Sequence, residues 1–279
     1  MSSENLQLSD FGTPEDLGIH LIETRHSAIK PHTHSFYELV YIKSGFCLHE
    51  TGNVTELLLE GDFFVMKPGQ WHRYVGPHAV ELYNCMFSEK VLLSLFPENE
   101  YTAPLRGKNI FFKLHLDIAG QKRELRLLRE MISELQMQQT FWEIRLKSLL
   151  GCLLVDYVRT YEKYVQPRSP GSVYPNYVAG ALEIISARYQ DKTLSVAGVA
   201  QLAGVTPDYL SRQFRYLTGV GVQEYIRRFR LSKATELLLG GVSVSDTCQA
   251  VGFTNLCHFS REFKRELGVS PTQYTKQNA

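Results

Sequence analysis

What the chain lacks narrows its class first. Its five cysteines, Cys47, Cys85, Cys152, Cys248 and Cys257, are odd in number and scattered, with no C-x-x-C pair among them. That pattern argues against a disulfide framework and for reduced thiols used as small core residues in a cytoplasm. The opening, Met1 to Asp10, has no basic end followed by an apolar core, so no signal peptide is read there. The longest apolar stretch, around Leu149 to Val158, contains Asp156 and is too short to span a bilayer. An excess of either charge is also missing, since 30 Lys+Arg against 29 Asp+Glu leave +1. With 44% hydrophobic and 21% charged residues over 279 positions, the composition excludes disorder and leaves room for two modest domains.

The small net charge hides an asymmetry. Residues 171–279 hold 12 Lys+Arg against 8 Asp+Glu, a net of +4, and the first 170 hold 18 against 21, a net of −3. An anionic partner is therefore expected at the C-terminal end.

From about Ile19 to Leu116 the chain reads as short β segments. His34–Ile42, Phe46–His49, Val54–Leu59, Phe63–Met66 and Leu82–Phe87 are rich in Val, Tyr, Phe and Leu, with Gly45, Gly52-Asn53, Gly61-Asp62 and Pro68-Gly69 as turns. Such spacing suggests a sandwich or barrel. Beyond it the period becomes helical. Leu125, Leu128, Ile132 and Leu135 form one stripe, and Leu146, Leu149, Leu150, Leu153, Leu154 and Tyr157 another. Two antiparallel helices packed on the β region, or forming a dimer seam, fit these stripes equally. The Pro/Gly/Ser-rich run around Pro167 to Ser172 reads as a linker. The expected division is thus 1–118, 119–165, a linker at 166–174, and 175–279.

The last region repeats itself at a period of about 48 residues. LSVAGVAQLAGVTPDYLSRQFRYLTGV, Leu194 to Val220, matches VSVSDTCQAVGFTNLCHFSREFKRELGV, Val242 to Val269, with Gly204 aligned on Gly252. Each copy has helix-turn-helix grammar: a first helix ending at the glycine, a small residue four positions earlier (Ala200 or Cys248), then a second amphipathic helix. In the first copy Thr206 is the cap and Pro207 the first helical residue. Leu210, Phe214 and Leu217 mark one buried stripe, and Phe259, Phe263 and Leu267 the other. The outward faces carry Ser211, Arg212 and Arg215 in the first copy, and Ser260, Arg261, Lys264 and Arg265 in the second. Arginine can pair with guanine in the major groove, while lysine and serine hold phosphates.

Residues from about 175 to 276 resemble the DNA-binding domain of the AraC/XylS regulators. The signature runs through Ala250-Val251-Gly252-Phe253, Phe259-Ser260-Arg261-Glu262-Phe263-Lys264 and Gly268-Val269-Ser270-Pro271-Thr272-Gln273-Tyr274. The resemblance implies a central helix at about Val222 to Leu239 and two recognition helices in successive major grooves, roughly one turn or ~34 Å apart. It places base-reading slots at Asp208, Ser211 and Arg212, and at Leu256, Cys257, Ser260 and Arg261. It also implies association of two copies through helices 121–163.

Eight of the nine histidines precede residue 120. His32-x-His34-x3-Glu38-x6-Gly45, followed by Gly61-Asp62 and Pro68-Gly69-x2-His72, resembles the two cupin motifs at all four ligand positions, His32, His34, Glu38 and His72. Residues 32, 34 and 38 share the parity that aims side chains to one face of a strand. Three imidazoles and a carboxylate suit a divalent transition metal with open positions, and they can equally hydrogen-bond the hydroxyls of an organic effector. Tyr74 occupies a position that contacts sugar in arabinose-responsive relatives, and HTHSFYELVYIKSG, His32 to Gly45, is most similar to rhamnose- and other sugar-responsive regulators.

The expected fold is therefore α+β in two domains: an N-terminal cupin-like β-barrel with flanking helices and a C-terminal all-α double helix-turn-helix domain. The expected protein is a cytoplasmic, homodimeric, non-enzymatic regulator of the activator kind. Its expected partners are double-stranded DNA, RNA polymerase where it activates, and a small-molecule effector of the carbohydrate class bound by His32, His34, Glu38, His72 and Tyr74. No cofactor is required by this reading. The alternative is a divalent transition metal on His32, His34, Glu38 and His72, in a metal- or redox-sensing regulator or a metal-dependent cupin enzyme fused to the same tail.

Overall fold

Short runs of β-branched and aromatic residues between tight turns form ten strands among the described residues of the first part of the chain. They are β1 (Glu4–Leu6), β2 (Ile19–His26), β3 (Ile29–His34), β4 (Tyr37–Ser44), β5 (Phe46–Thr51), β6 (Val54–Leu59), β7 (Asp62–Met66), β8 (His72–Val75), β9 (Val80–Phe87) and β10 (Lys113–His115). The computed structural model describes residues 4–12, 17–26, 29–52, 54–75, 80–96, 105, 113–164 and 176–278. The expected linker, 166–174, lies outside the described residues.

The strands divide into two five-stranded sheets. Sheet I has the order β1-β3-β8-β5-β6 and sheet II the order β10-β7-β4-β9-β2. Among the described residues no ladder joins one sheet to the other, so the β region is open. This corrects the expectation of a closed cupin-like barrel. Alternating patterns and glycine turns specify strands and hairpins, but they do not say whether the outermost strands pair with each other. Three of the four edges are managed in other ways. The edge strands β1 and β10 are three residues long, and the β6 edge is covered by the C-terminal region, where the Leu57 amide donates to the Tyr225 hydroxyl at 2.8 Å.

Strand alternation sends side chains into three cores. Between the sheets lie Val40, Ile42, Cys47, Leu58, Phe64, Met66, Tyr74, Val80 and Leu82. The other face of sheet II, with Leu39, Tyr41, Phe63, Val65 and Tyr83, packs on α1 (Glu89–Leu95), α2 (Ile118–Met137) and α3 (Trp142–Tyr164). Because both faces of sheet II are covered, β4 is buried from Tyr37 through Ile42. The buried stripe of α2 is Leu127, Leu128 and Met131, rotated from the Leu125–Leu135 row that spacing suggests, whereas Leu146, Leu149, Leu150, Leu153, Leu154 and Tyr157 of α3 are all buried.

The other face of sheet I, Phe46, Leu48, Leu57, Leu59 and Val75, joins the core of the C-terminal helices. These are α4 (Asn176–Arg188), α5 (Val196–Leu202), α6 (Pro207–Thr218), α7 (Val222–Leu239), α8 (Val244–Ala250), α9 (Leu256–Leu267) and α10 (Pro271–Asn278). The molecule is thus layered: helical hairpin, sheet II, sheet I, helix-turn-helix region.

Candidate nucleic-acid interface and ligand site

Two pairs of helices repeat one geometry. In the first, α5 leads into a turn at Gly204 and α6 begins at Pro207 under the Thr206 cap, whose hydroxyl accepts from the Tyr209 amide. In the second, α8 leads into a turn at Gly252, and Asn255 caps α9 by accepting from the His258 amide at 3.0 Å. Leu210, Phe214 and Leu217 face inward on α6, as do Phe259, Phe263 and Leu267 on α9. That leaves Asp208, Arg212 and Arg215 exposed and Ser211 half-buried on α6; Leu256, Cys257, Arg261 and Lys264 are exposed and Ser260 half-buried on α9. Arg212 lies over the Tyr209 ring, 5.8 Å from its centroid. Arg265 is exposed, but its guanidinium is paired with Glu262 and Glu266, the latter at 3.2 Å. Glu266 also takes Arg227 of α7 at 2.7 Å, so α7 and α9 are tied by one ionic net.

Inside the β region, polar side chains from both sheets meet. His32 and His34 lie on β3 and His72 on β8, all in sheet I, while Glu38 lies on β4 in sheet II. The shared parity of 32, 34 and 38 is therefore not what unites them, because the chain changes sheet between His34 and Tyr37. Glu38 Oε2 stands 3.8 Å from His34 Nε2 and 3.6 Å from His72 Nε2. One ligand atom from each of these three residues lies within 4.8 Å of the others. His32 sits beside this trio, its ring centroid 4.3 Å from that of His72 and its Nδ1 2.9 Å from the Lys30 carbonyl. Tyr74 closes one side, its ring centroid 5.5 Å from that of His72.

Comparison with known proteins assigns both regions. Residues 16–154 match the AraC-like ligand binding domain and residues 199–277 match the helix-turn-helix domain. The chain is 24% identical over 249 residues to the HTH-type transcriptional activator RhaR of Yersinia pseudotuberculosis, covering 88% of this chain and 84% of that protein. It is 25% identical over 253 residues to the uncharacterized HTH-type transcriptional regulator YfiF of Bacillus subtilis, covering 89% and 79%. The C-terminal domain of AraT, a response regulator from Geobacillus stearothermophilus, is 30% identical over 40% of this chain and 88% of that one, at a TM-score of 0.36.

The chain belongs to the AraC/XylS family. This AraC/XylS regulator binds DNA and carries a ligand-binding N-terminal domain, which is of the AraC type and not the cupin-type effector domain expected from the histidine motif. The curated relatives it matches are named as transcription regulators. Among its described residues no helix is long and apolar enough to cross a membrane.

The carbonyl of Phe36 fixes one proton of the polar cluster. His34 Nδ1–H donates to the Phe36 carbonyl at 2.6 Å, which leaves the Nε2 lone pair aimed at Glu38. His72 Nδ1 meets His49 Nε2 at 3.1 Å, and with His72 as donor its Nε2 also turns a lone pair on the carboxylate. Burial lowers the imidazoles, His34 to about 4, His49 to about 3, and His72 well below the usual histidine range. All three are neutral near pH 7. Burial raises Glu38 to about 7, opposed by the amide of Asn84, which donates to its other oxygen. His34 Nε2, His72 Nε2, Glu38 Oε2 and the Tyr74 hydroxyl are buried without a hydrogen-bond partner. Such a convergence of lone pairs is costly until a cation or a donor group enters.

Two members of this site escaped sequence reasoning. His49 falls on β5 in phase with Cys47 and Thr51, and its only signal is the general excess of histidine before residue 120. Asn84 on β9 carries no signal, since a lone amide in an apolar strand points to nothing without its partner.

Proposed function

We propose that the protein is an effector-controlled transcription regulator that reads double-stranded DNA with α6 and α9 and takes a small hydroxylated effector, of the carbohydrate class, at the polar cluster. Asp208, Ser211, Arg212 and Arg215 form the first reading face, and Leu256, Cys257, Ser260, Arg261 and Lys264 the second. Arg265 serves the ionic net with Glu262 and Glu266 and only the rim of the DNA face. The observation that carries the effector site is the set of unpartnered buried atoms on His34, Glu38, His72 and Tyr74. Donors and acceptors of a polyol would satisfy them, with His32 and Tyr74 flanking.

A second reading has its own support. One carboxylate oxygen and two imidazole lone pairs within 4.8 Å of each other suit a single divalent transition metal. His34, Glu38 and His72 would be its ligands, with the Phe36 carbonyl and His49 orienting the rings. Such an ion would hold Glu38 as the carboxylate and leave positions open beside His32. Both readings are of a regulator.

Association into a homodimer through α2 and α3 is supported by Met137, Phe141 and Ile144, which are 64%, 74% and 64% exposed at the tip of the hairpin. As an activator the dimer would contact RNA polymerase.

Thermal unfolding across a sugar panel, with and without chelator, tests the effector reading. A ligand at 100 times its Kd stabilises the fold by about 2.7 kcal/mol. A chelator-insensitive upward shift with one sugar is the expected result. A fall in Tm on chelation, with no sugar shift, selects the metal, and no response to either overturns the site.

A further inference from the structure

The polar cluster and the helix-turn-helix region are back to back across a single sheet. On β5, His49 faces the cluster and the next residue, Glu50, faces outward; on β8, His72 faces the cluster and the next residue, Arg73, faces outward. The two strands pair with Glu50 directly opposite Arg73. On the inner side His72 is hydrogen-bonded to His49. On the outer side Arg73 Nε is 2.7 Å from Glu50 Oε2.

The outer pair does not end there. Lys233 Nζ of α7 lies 3.0 Å from Glu50 Oε1 and 3.2 Å from Glu236 Oε2, and Arg73 reaches Glu236 Oε1 at 3.4 Å. The four side chains close a ring of alternating charge, two from sheet I and two from α7. Around it the contact is continuous: the Tyr225 hydroxyl accepts from Leu57, Arg228 lies 5.3 Å from the Phe46 ring centroid, and Leu48 and Val75 join the same core as Phe229. α7 is also the helix that links the two recognition units, and Arg228 pairs onward with Glu266 of α9 at 3.3 Å.

We propose that β5 and β8 are the lever by which occupancy of the polar cluster is passed to α7, through the Glu50–Arg73–Glu236–Lys233 ring. The proposal rests on the reading of the cluster as the effector site. A ligand that draws His72 toward Glu38 pulls on the backbone of β8 one residue from Arg73. The docked position of α7 then changes in free energy, as a switch requires.

Hydrogen exchange on the full-length chain tests this without any ligand. His72→Asn removes the ring that links the cluster to β5, while Thr33→Val changes β3, on the far side of β8, at a side chain that bonds Asn5 of β1 and lies outside the cluster. We expect His72→Asn to change exchange over 222–239 by about fivefold or more, the lower end of ordinary coupling between sites. Thr33→Val should leave that segment at the wild-type rate. Wild-type exchange in His72→Asn, or equal changes in both variants, overturns the proposal. Lys233→Met approaches from outside the β region and should alter exchange over 72–75 and not over 29–34. Unchanged exchange at 72–75 overturns the proposal whether or not His72→Asn folds. Failure of the effector reading shows separately, as absence of any response in the sugar and chelator melts.

Discussion

The two helix-turn-helix units share one sequence grammar and meet different neighbours. In the first, α6 ends at Gly219 with φ +77, and a carbon placed on its Cα would lie 2.1 Å from His115 Nε2. His115, on β10, is held in turn by Asp62 at 2.9 Å. The equivalent end of α9, Gly268, has the same φ and nothing within 4 Å. Inside the turns the contrast reverses. Gly204 has open space, whereas a carbon on Gly252 would meet the Tyr189 and Gln190 carbonyls at 2.7 and 2.8 Å. Arg230 of α7 clamps that same turn, donating to Tyr189 and Asp191 at 2.7 and 2.8 Å. The first unit is therefore seated against the ligand-binding region and the second against the helices of its own region. A duplicated motif can keep its fold while only one copy has its recognition helix end directly against the ligand-binding region.

Alanine at Gly252 is expected to break this contrast most severely. Left-handed backbone costs about 1–2 kcal/mol for an alanine, and forcing a methyl into packed backbone adds roughly 1–3 kcal/mol. Gly252→Ala should lose about 3 kcal/mol or more in urea unfolding of the full chain, against about 1 kcal/mol for Gly204→Ala. Equal losses would mean that the second turn is free to move off α4.

Next in size are the reading faces. Arg212→Ala and Arg261→Ala should each weaken binding by about 1–3 kcal/mol, on a duplex selected from random sequence by the wild-type chain at fixed salt. The comparison sharpens if only the Arg212→Ala loss changes when effector is present. Loss-free binding by both variants would remove α6 and α9 as readers.

A smaller effect isolates the seat of the first unit. Gly219→Ala and Gly268→Ala carry the same backbone strain, so their difference reports His115. We expect Gly219→Ala to cost about 1 kcal/mol more, and the excess to vanish in a His115→Ala background, a double-mutant cycle for neighbouring residues. An excess that survives would place the strain elsewhere.

How much of this was legible depends on how local the physics is. The caps, the turn glycines and the Leu210–Leu217 and Phe259–Leu267 stripes follow from residues three or four positions apart, and a repeat displays them twice. Closure of the β region is a relation between strands distant in sequence, and alternation is silent about it. The polar site shows the same limit. His34, Glu38 and His72 stand out by type and spacing, yet their convergence depends on a sheet change at Ser35 and Phe36 that parity misreads. The seat of α7 was hidden for another reason. Phe46, Leu48, Leu57 and Leu59 look like ordinary core alternation, and nothing local says that their face of sheet I meets a second region.

The smallest expected difference lies at the start of the recognition helices, where it runs opposite to the seat at their ends. Asn255 accepts from the His258 amide at 3.0 Å, and Thr206 accepts from the Tyr209 amide at 3.4 Å. Losing a cap of the first kind costs about 1 kcal/mol, and the longer bond should be worth about half that. Pro207 explains why α6 tolerates the weaker cap: its ring presets φ and removes one of the amides that would need a partner. Thr206→Ala should therefore shift the urea midpoint less than Asn255→Ala. Should Thr206→Ala cost as much, Pro207 would not be compensating, and the first unit would depend on its cap as well as on His115 to hold α6 in place.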